Sequence, residues 1–346
     1  MPLRASSYAA MYGNADVTNR EKLVLRELST DSRVSLTKLA RIAGCSVATA
    51  NKLLARLVEK LRLRFTLEIE LDKLGFAERH VIYVKFHKEP EEAALEKLFK
   101  DDPITQDAYI CKGDFGLIIL AAADTPKNYI RWETNLAENL SEYMPELRPS
   151  EFIHDLLGYM PLNGDFVDHI KEEVKIDKKD RQILRLLNEN SRMSYREMGS
   201  KLGINEDTIR YRVFKLLRKG IIRRFTVVVQ NSGGVVSAYF ARYSFDKRTV
   251  DTIFPEQRKH SMSEDEELPL VNRTPMIVLC SGSYRFFGMC YGRTREESLS
   301  GGIRWHMNLL RNNNPREAHA IVTKPIKGLL PLRNLDTKQY YRLIWT

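Results

Sequence analysis

The sequence predicts an α+β fold: two winged helix-turn-helix units, each followed by a ferredoxin-like αβ sandwich. Three observations lead there. The stretch STDSRVSLTKLARIAGCSVATANKLLARL from Ser29 is echoed 159 positions later by NENSRMSYREMGSKLGINEDTIRYRVFKLL from Asn188, and a repeat sets the architecture of a chain. Ser32, Arg33, Ser35, Gly44, Thr49 and Leu57 recur as Ser191, Arg192, Ser194, Gly203, Thr208 and Leu216. Each echo then runs into a β-rich stretch sharing Arg64-Phe65-Thr66 and Arg224-Phe225-Thr226. Beyond that stretch the pattern continues as strand, helix, strand, strand, helix, strand, the split βαβ order.

The second helical unit is the more readable. Ile183, Leu184 and Leu187 form the apolar stripe of its first helix. Ser194 is a natural N-cap for the next, with Glu197 three residues on completing a capping box. Gly203 suits the positive φ that ends a helix. Asn205 caps a third helix whose Ile209, Val213 and Leu216 fall on one inward face. A Lys219-Gly220 turn leads to IleIleArgArgPheThrValValVal, expected to form the wing. In the first unit Leu61 stands where Gly220 would be, so its turn is weaker.

After the first wing, a strand from His80 is followed by a helix over 90–100, a strand to Cys111, a Gly113-Asp114 turn and the strand PheGlyLeuIleIleLeu. A helix from Thr125 to about Asn139 and a last strand near Phe152 complete that sandwich. The later copy begins near Val235 and places Gly282-Ser283 at the equivalent turn, a helix over 294–311, and a strand over 318–322. These readings divide the chain into an N-terminal tail (1–15), a winged unit (16–76), a sandwich (77–160), a linker (161–175), a second winged unit (176–232), a second sandwich (233–325) with an acidic insert (255–275), and a C-terminal tail (326–346).

Composition narrows the function classes. A chain of 346 residues with 43% hydrophobic and 29% charged residues reads as a soluble, multi-domain protein, expected in the cytoplasm. No apolar run approaches the roughly 18 residues that span a bilayer, so no membrane partner is expected. The N-terminus lacks the apolar core of a secretory signal. Cys45, Cys111, Cys280 and Cys290 are scattered, without metal-ligand spacing, and fit a reducing compartment. The net charge of +10 is concentrated in the repeated units: 14 Lys/Arg against 6 Asp/Glu over 177–226, and 12 against 8 over 16–75. That is the distribution a polyanion-binding surface requires.

Asp180-Arg181-Gln182-Ile183-Leu184, Asn190-Ser191-Arg192, Leu202-Gly203-Ile204 and Gly220-Ile221-Ile222 resemble the winged helix-turn-helix of the Lrp/AsnC family of prokaryotic transcription factors. The sandwich segments resemble that family's ligand-sensing RAM domain. The resemblance implies a DNA-binding regulator, of a form expected in an archaeon, in which a dimer has been fused into one polypeptide. It also implies small-molecule, amino-acid-like effectors near the Gly-Asp turn: Gly113 and Asp114, and Gly282 and Ser283 in the second copy. Double-stranded DNA, further self-association, the transcription machinery and a nucleoid location follow as expected partners and place.

A helix in the major groove presents polar side chains to base edges while flanking cations meet phosphates. On the second unit Asn205, Thr208, Arg210, Tyr211 and Lys215 are the candidates, with Arg210 suited to guanine. Arg212, Arg218, Arg223 and Arg224 are expected to hold the backbone. On the first unit the candidates are Ser46, Thr49, Asn51, Lys52 and Arg56, a less charged set in which Asn51 suits adenine.

Two rivals stand beside this reading. Siroheme decarboxylases resemble Lrp-type chains and share an IRRF-like wing, here Ile222-Arg223-Arg224-Phe225, but commonly carry a histidine soon afterwards, where this chain has Gln230-Asn231-Ser232. The seven histidines show no ligand spacing, and no nucleophile elbow, phosphate loop or paired-carboxylate site appears. No enzyme activity, catalytic residue, cofactor or metal is therefore expected. An architectural or protein-recruiting role is the other rival.

Overall fold

The computed structural model describes residues 17–70, 72–76, 78–100, 102–157, 176–229, 235–241, 276–292, 294–296, 298 and 317–327. The tails up to 16 and from 328, the linker, the acidic insert and most of the helix expected over 294–311 lie outside them.

Three helices open the described chain: α1 (Asn19–Thr30), α2 (Leu36–Ala43) and α3 (Val47–Leu61), followed by strand β1 (Leu63–Ile69). The same order returns as α6 (Lys178–Glu189), α7 (Tyr195–Leu202), α8 (Glu206–Arg218) and β6 (Ile222–Val229). Between them lie β2 (Glu78–Phe86), α4 (Glu92–Lys100), β3 (Thr105–Gly113), β4 (Leu117–Ala123), α5 (Pro126–Asn139) and β5 (Pro145–Leu157). After β6 come β7 (Val235–Ala241), β8 (Met276–Gly282), β9 (Phe286–Gly292) and β10 (Glu317–Lys327).

Local chemistry sets the helix ends. Full capping boxes start α1, where Thr18 and Glu21 exchange side-chain-to-backbone hydrogen bonds, and α6, where Asp177 and Asp180 do the same. Ser35 and Ser194 cap α2 and α7, and Gly44 and Gly203 end them at φ 60° and 63°. Only half of the box expected at Ser194 forms: its hydroxyl accepts from the Glu197 amide at 3.1 Å, while the Glu197 carboxylate lies 3.9 Å from Lys201. The left-handed position after α8 falls to Gly220, at φ 64°. After α3 it falls to Arg62, at φ 47°, a conformation that a side chain disfavours.

The two wings do not stand apart. β1 and β6 pair antiparallel into one two-stranded sheet, with Thr66 directly opposite Thr226. The other eight strands close into a barrel in the order β10-β3-β4-β2-β5-β8-β9-β7. Each αβ segment supplies four consecutive strands of that ring. The seams are β5 with β8, where Ser150 faces Gly282, and β3 with β10, where Gly113 faces Ala320. At the first seam a Cβ on Gly282 would approach the Pro149 carbonyl oxygen to 3.0 Å, and the residue sits at φ +104°. Within the ring the sheet edges of each segment are covered by those of the other.

Tyr83, Phe115, Phe240, Tyr284 and Phe287 fill the barrel, with Tyr83 edge-on to Phe240 at 4.1 Å. Their cluster runs on through Leu67, Leu74 and Phe76 into the second head, reaching Ile183, Leu187, Ile209 and Leu216. The first head has its own core, Val24, Leu25, Leu28, Leu39 and Leu57, completed by Val227 from β6. A third cluster packs α4 and α5 on the outer face of the first segment's strands, through Phe99, Tyr129, Trp132 and Leu136. No helix among the described residues is long and apolar enough to cross a membrane.

Candidate nucleic-acid interface

Helix α8 buries Ile209, Val213 and Leu216 and turns its other face outward. Tyr211 is 61% exposed and Phe214 51%, unusual for large rings on a surface. Around them Asp207, Thr208, Arg210 and Arg218 are also exposed. Asn205 is exposed, and its side-chain oxygen is occupied as the helix cap, accepting from the Asp207 amide at 2.8 Å. Arg210 lies against its own helix, 3.1 Å from Glu206 and 3.2 Å from Asp207. Its guanidinium carbon is 5.8 Å from the centre of the Tyr195 ring.

The two heads meet through the repeated Ser-Arg pair. The Ser32 and Ser191 hydroxyls, both buried, are hydrogen-bonded to each other at 2.6 Å. Arg33 donates to the carbonyls of Ser191 at 2.6 Å and Met193 at 3.0 Å. Arg192 returns the contact to the carbonyls of Ser32 at 2.6 Å and Val34 at 3.1 Å. The amides of Ser32 and Ser191 donate to the Phe225 and Phe65 carbonyls of the opposite wings. Burial and the neighbouring Arg33 charge hold the Arg192 guanidinium below its ordinary pKa. Residues that meet their own equivalents lie on a two-fold axis, so the heads are related by a rotation of about half a turn.

That interface has one asymmetry. Arg33 lies over the Tyr195 ring at 4.5 Å and over Phe225 at 5.3 Å, whereas Arg192 lies over Phe65 at 5.6 Å. Leu36 occupies the first helix position in α2 that Tyr195 occupies in α7. Tyr195 therefore touches a cation from the other head and a cation on α8. Charge counting did not single it out; an aromatic ring at the first turn of a helix-turn-helix was the available signal.

Three arginines expected on the phosphate face are placed elsewhere, which corrects that expectation. Arg212 is mostly buried and bridges Asp177 at 2.7 Å and Asp180 at 2.8 Å. Burial works against its charge, and the two carboxylates outweigh that effect and raise its pKa. Arg223 lies 3.3 Å from Glu68 and 3.6 Å from Glu70, across the sheet that joins the wings. Arg224, 11% exposed, binds Glu68, whose side chain is 2% exposed. Their acidic partners come from the opposite strand, so these cations hold the heads together. Lys215 is half-buried, 3.9 Å from Asp180. Arg218 stays exposed, with no ion pair among the described residues.

On the first head, Asn51, Lys52 and Arg56 are exposed along α3, beside Val47 and Ala48. Ser46 caps the helix through the Thr49 amide at 3.1 Å and bonds the Thr49 hydroxyl at 2.9 Å. Arg56 is tied to buried Glu21 at 2.6 Å. Burial raises the Glu21 pKa, but hydrogen bonds from Thr18 and Arg56 outweigh it and leave the carboxyl below its usual range. The outer face of α3 thus offers smaller groups than that of α8, with no exposed aromatic ring beside its cations Lys52 and Arg56.

The proposed effector turns form equivalent hairpin corners. The Cys111 amide donates to Gly116 O at 2.8 Å and the Cys280 amide to Arg285 O at 2.9 Å. Gly113, Asp114 and Gly282 are exposed and Ser283 is half-exposed. They line no part of a 420 Å³ pocket at the other end of β3 and β4, between Phe76, Ile104, Ala123 and α5. In that pocket Asp102 accepts from the Trp132 indole at 2.7 Å, and Asp124 accepts from the Asn128 side chain at 2.7 Å. No cluster of three or more His, Cys, Asp or Glu side chains able to hold a metal occurs among the described residues.

Comparison with known proteins points to the second head. An uncharacterized HTH-type transcriptional regulator of Pyrococcus abyssi is 41% identical over 71 residues, covering 20% of this chain and 45% of the relative. The HTH-type transcriptional regulator Ptr1 of Methanocaldococcus jannaschii is 41% identical over 80 residues, covering 22% and 54%. The chain therefore spans about half the length of these curated relatives. The crystal structure of the siroheme decarboxylase NirDL superposes with a TM-score of 0.55 at 13% identity, covering 94% of this chain and 98% of that one. That likeness establishes a shared fold along nearly the whole chain. Residues 176–217, which run from the α6 cap through the outward face of α8, match the AsnC-type helix-turn-helix family, and the chain accordingly carries an AsnC-type helix-turn-helix domain.

Proposed function

We propose that this chain is a DNA-binding transcriptional regulator of the Lrp/AsnC type, with two winged heads and two RAM-like segments fused in one polypeptide. The carrying observation is the AsnC-type domain with an aromatic and basic face on α8: Thr208, Arg210, Tyr211, Phe214 and Arg218. The Pyrococcus and Methanocaldococcus relatives, both HTH-type transcriptional regulators, support it. In this reading α8 enters the major groove, Arg210 and Tyr211 address bases, and Arg218 and Lys52 meet phosphates. The first head, through Thr49 and Asn51, adds selectivity with less affinity. Small-molecule control acts through the Gly113-Asp114 and Gly282-Ser283 corners at the barrel seams, and the target is duplex DNA in the nucleoid.

A mobility-shift titration tests the division of labour. Replacing Arg210 and Tyr211 with Ala should weaken specific binding far more than replacing Asn51 and Lys52; equal losses would sink it. Removing Lys52 or Arg218 should each flatten the plot of log affinity against log salt by about one unit. Weak, sequence-tolerant binding by the intact protein would instead favour the architectural role.

The whole-chain likeness to NirDL supports a second reading, tetrapyrrole decarboxylation on the same fold. A siroheme titration separates the two: a saturable Soret shift favours the enzyme, and an unchanged spectrum favours the regulator.

A further inference from the structure

We infer that Tyr195 is a positioning residue for base recognition, through which Arg33 of the first head sets the guanidinium of Arg210 on the second. The inference rests on the proposed reading of DNA by α8. Arg33 is itself fixed, by the Ser191 and Met193 carbonyls, and lies 4.5 Å from the centre of the Tyr195 ring. Arg210 approaches the same ring at 5.8 Å while its two terminal nitrogens donate to Glu206 at 3.1 Å and Asp207 at 3.2 Å, so the ring is the third restraint on its guanidinium. Cations within about 6 Å of an aromatic face are attracted to it, so the ring limits the directions an otherwise exposed guanidinium can take. A bidentate contact to guanine needs the guanidinium plane in one orientation. The first head has no counterpart, since Leu36 replaces the ring and Asn51 the arginine.

The consequence is a target with two unlike halves. The rotation relating the heads presents α3 and α8 to half-sites in opposite orientation, because a protein dyad matches a DNA dyad. Only the α8 half carries an arginine held ready by its neighbour. Restricting one flexible side chain before binding is expected to change discrimination at its base pair by about 3- to 10-fold.

Selection from a random duplex library with the full chain provides the probe, and fluorescence anisotropy on the selected duplex and its single-base variants provides the readout. Tyr195→Leu should reduce discrimination at the one base pair where Arg210→Ala also erases it. Affinity for unrelated DNA and the salt dependence should stay as in the wild type. Tyr195→Phe, which keeps the ring, should restore discrimination, and all variants should keep the wild-type helical circular dichroism. Uniform weakening on every duplex, loss at a position unrelated to Arg210, or unchanged discrimination would overturn the inference. A library from which the wild type enriches no sequence would instead remove the regulator reading on which it stands.

Discussion

The buried contact between Ser32 and Ser191 lends itself to a double-mutant cycle. Neither hydroxyl has another hydrogen-bond partner among the described residues, and both residues are fully buried. Ser32→Ala leaves the Ser191 hydroxyl out of water and without a partner, which costs about 2 kcal/mol. Ser191→Ala does the same to Ser32. Removing both leaves two methyl groups facing each other in nearly the same volume, and the loss should fall below about 1 kcal/mol. Simple addition would give about 4 kcal/mol, so a coupling of about 3 kcal/mol is expected. Guanidinium unfolding at 25 °C, followed by far-ultraviolet circular dichroism, reports on these helical heads. A double variant whose loss equals the sum of the singles would show that the hydroxyls do not depend on each other, and the two-fold lock would need another basis.

Three further outcomes are expected. Arg212→Ala should destabilise by about 2 kcal/mol in the same assay, because it removes a charged hydrogen bond to the buried Asp180 carboxylate and leaves it, among the described residues, only the Asp177 amide and Lys215; a loss below about 0.5 kcal/mol would return Arg212 to the outer face. His80 is stacked on Tyr129 at 3.7 Å, and burial lowers its pKa against the opposing pull of Glu78, Glu151 and Glu133. Its neutral form is thus favoured in the fold, so its contribution is complete above the ordinary value of 6.5 and lost as pH falls through the lower folded value. Melting temperatures at pH 7 and 5.5 should differ less for His80→Phe than for wild type, and an identical difference would refute the assignment. Arg62→Gly should raise stability by about 1 kcal/mol by relieving the left-handed strain after α3, and a lower denaturation midpoint would count against that.

Much of this organisation was legible residue by residue. The caps at Ser194 and Asn205 and the left-handed glycine at 203 act locally, within one turn, and the sequence shows them. The inward stripe of α8 is likewise local. What escaped was the meaning of the repeated Ser-Arg pair. It looks like punctuation of each unit, but its hydrogen bonds run to the other copy, and no periodicity encodes a partner 159 positions away. The arginines of the second wing were misplaced for the same reason. Arg223 and Arg224 look free when one strand is read alone; Glu68 and Glu70 become their partners only once β1 and β6 are in register. Arg212 was more accessible to reasoning, since Asp177 and Asp180 form an Asp-x-x-Asp cap in need of a cation.

The intramolecular closure of the barrel also bears on how such a molecule can change. Where two identical chains pair, every substitution appears at both heads and both halves of the barrel. Here each position occurs once, so Arg210 can be altered without touching Asn51, and Gly282 without touching Gly113. The heads also stay joined at any dilution, since both belong to one covalent chain.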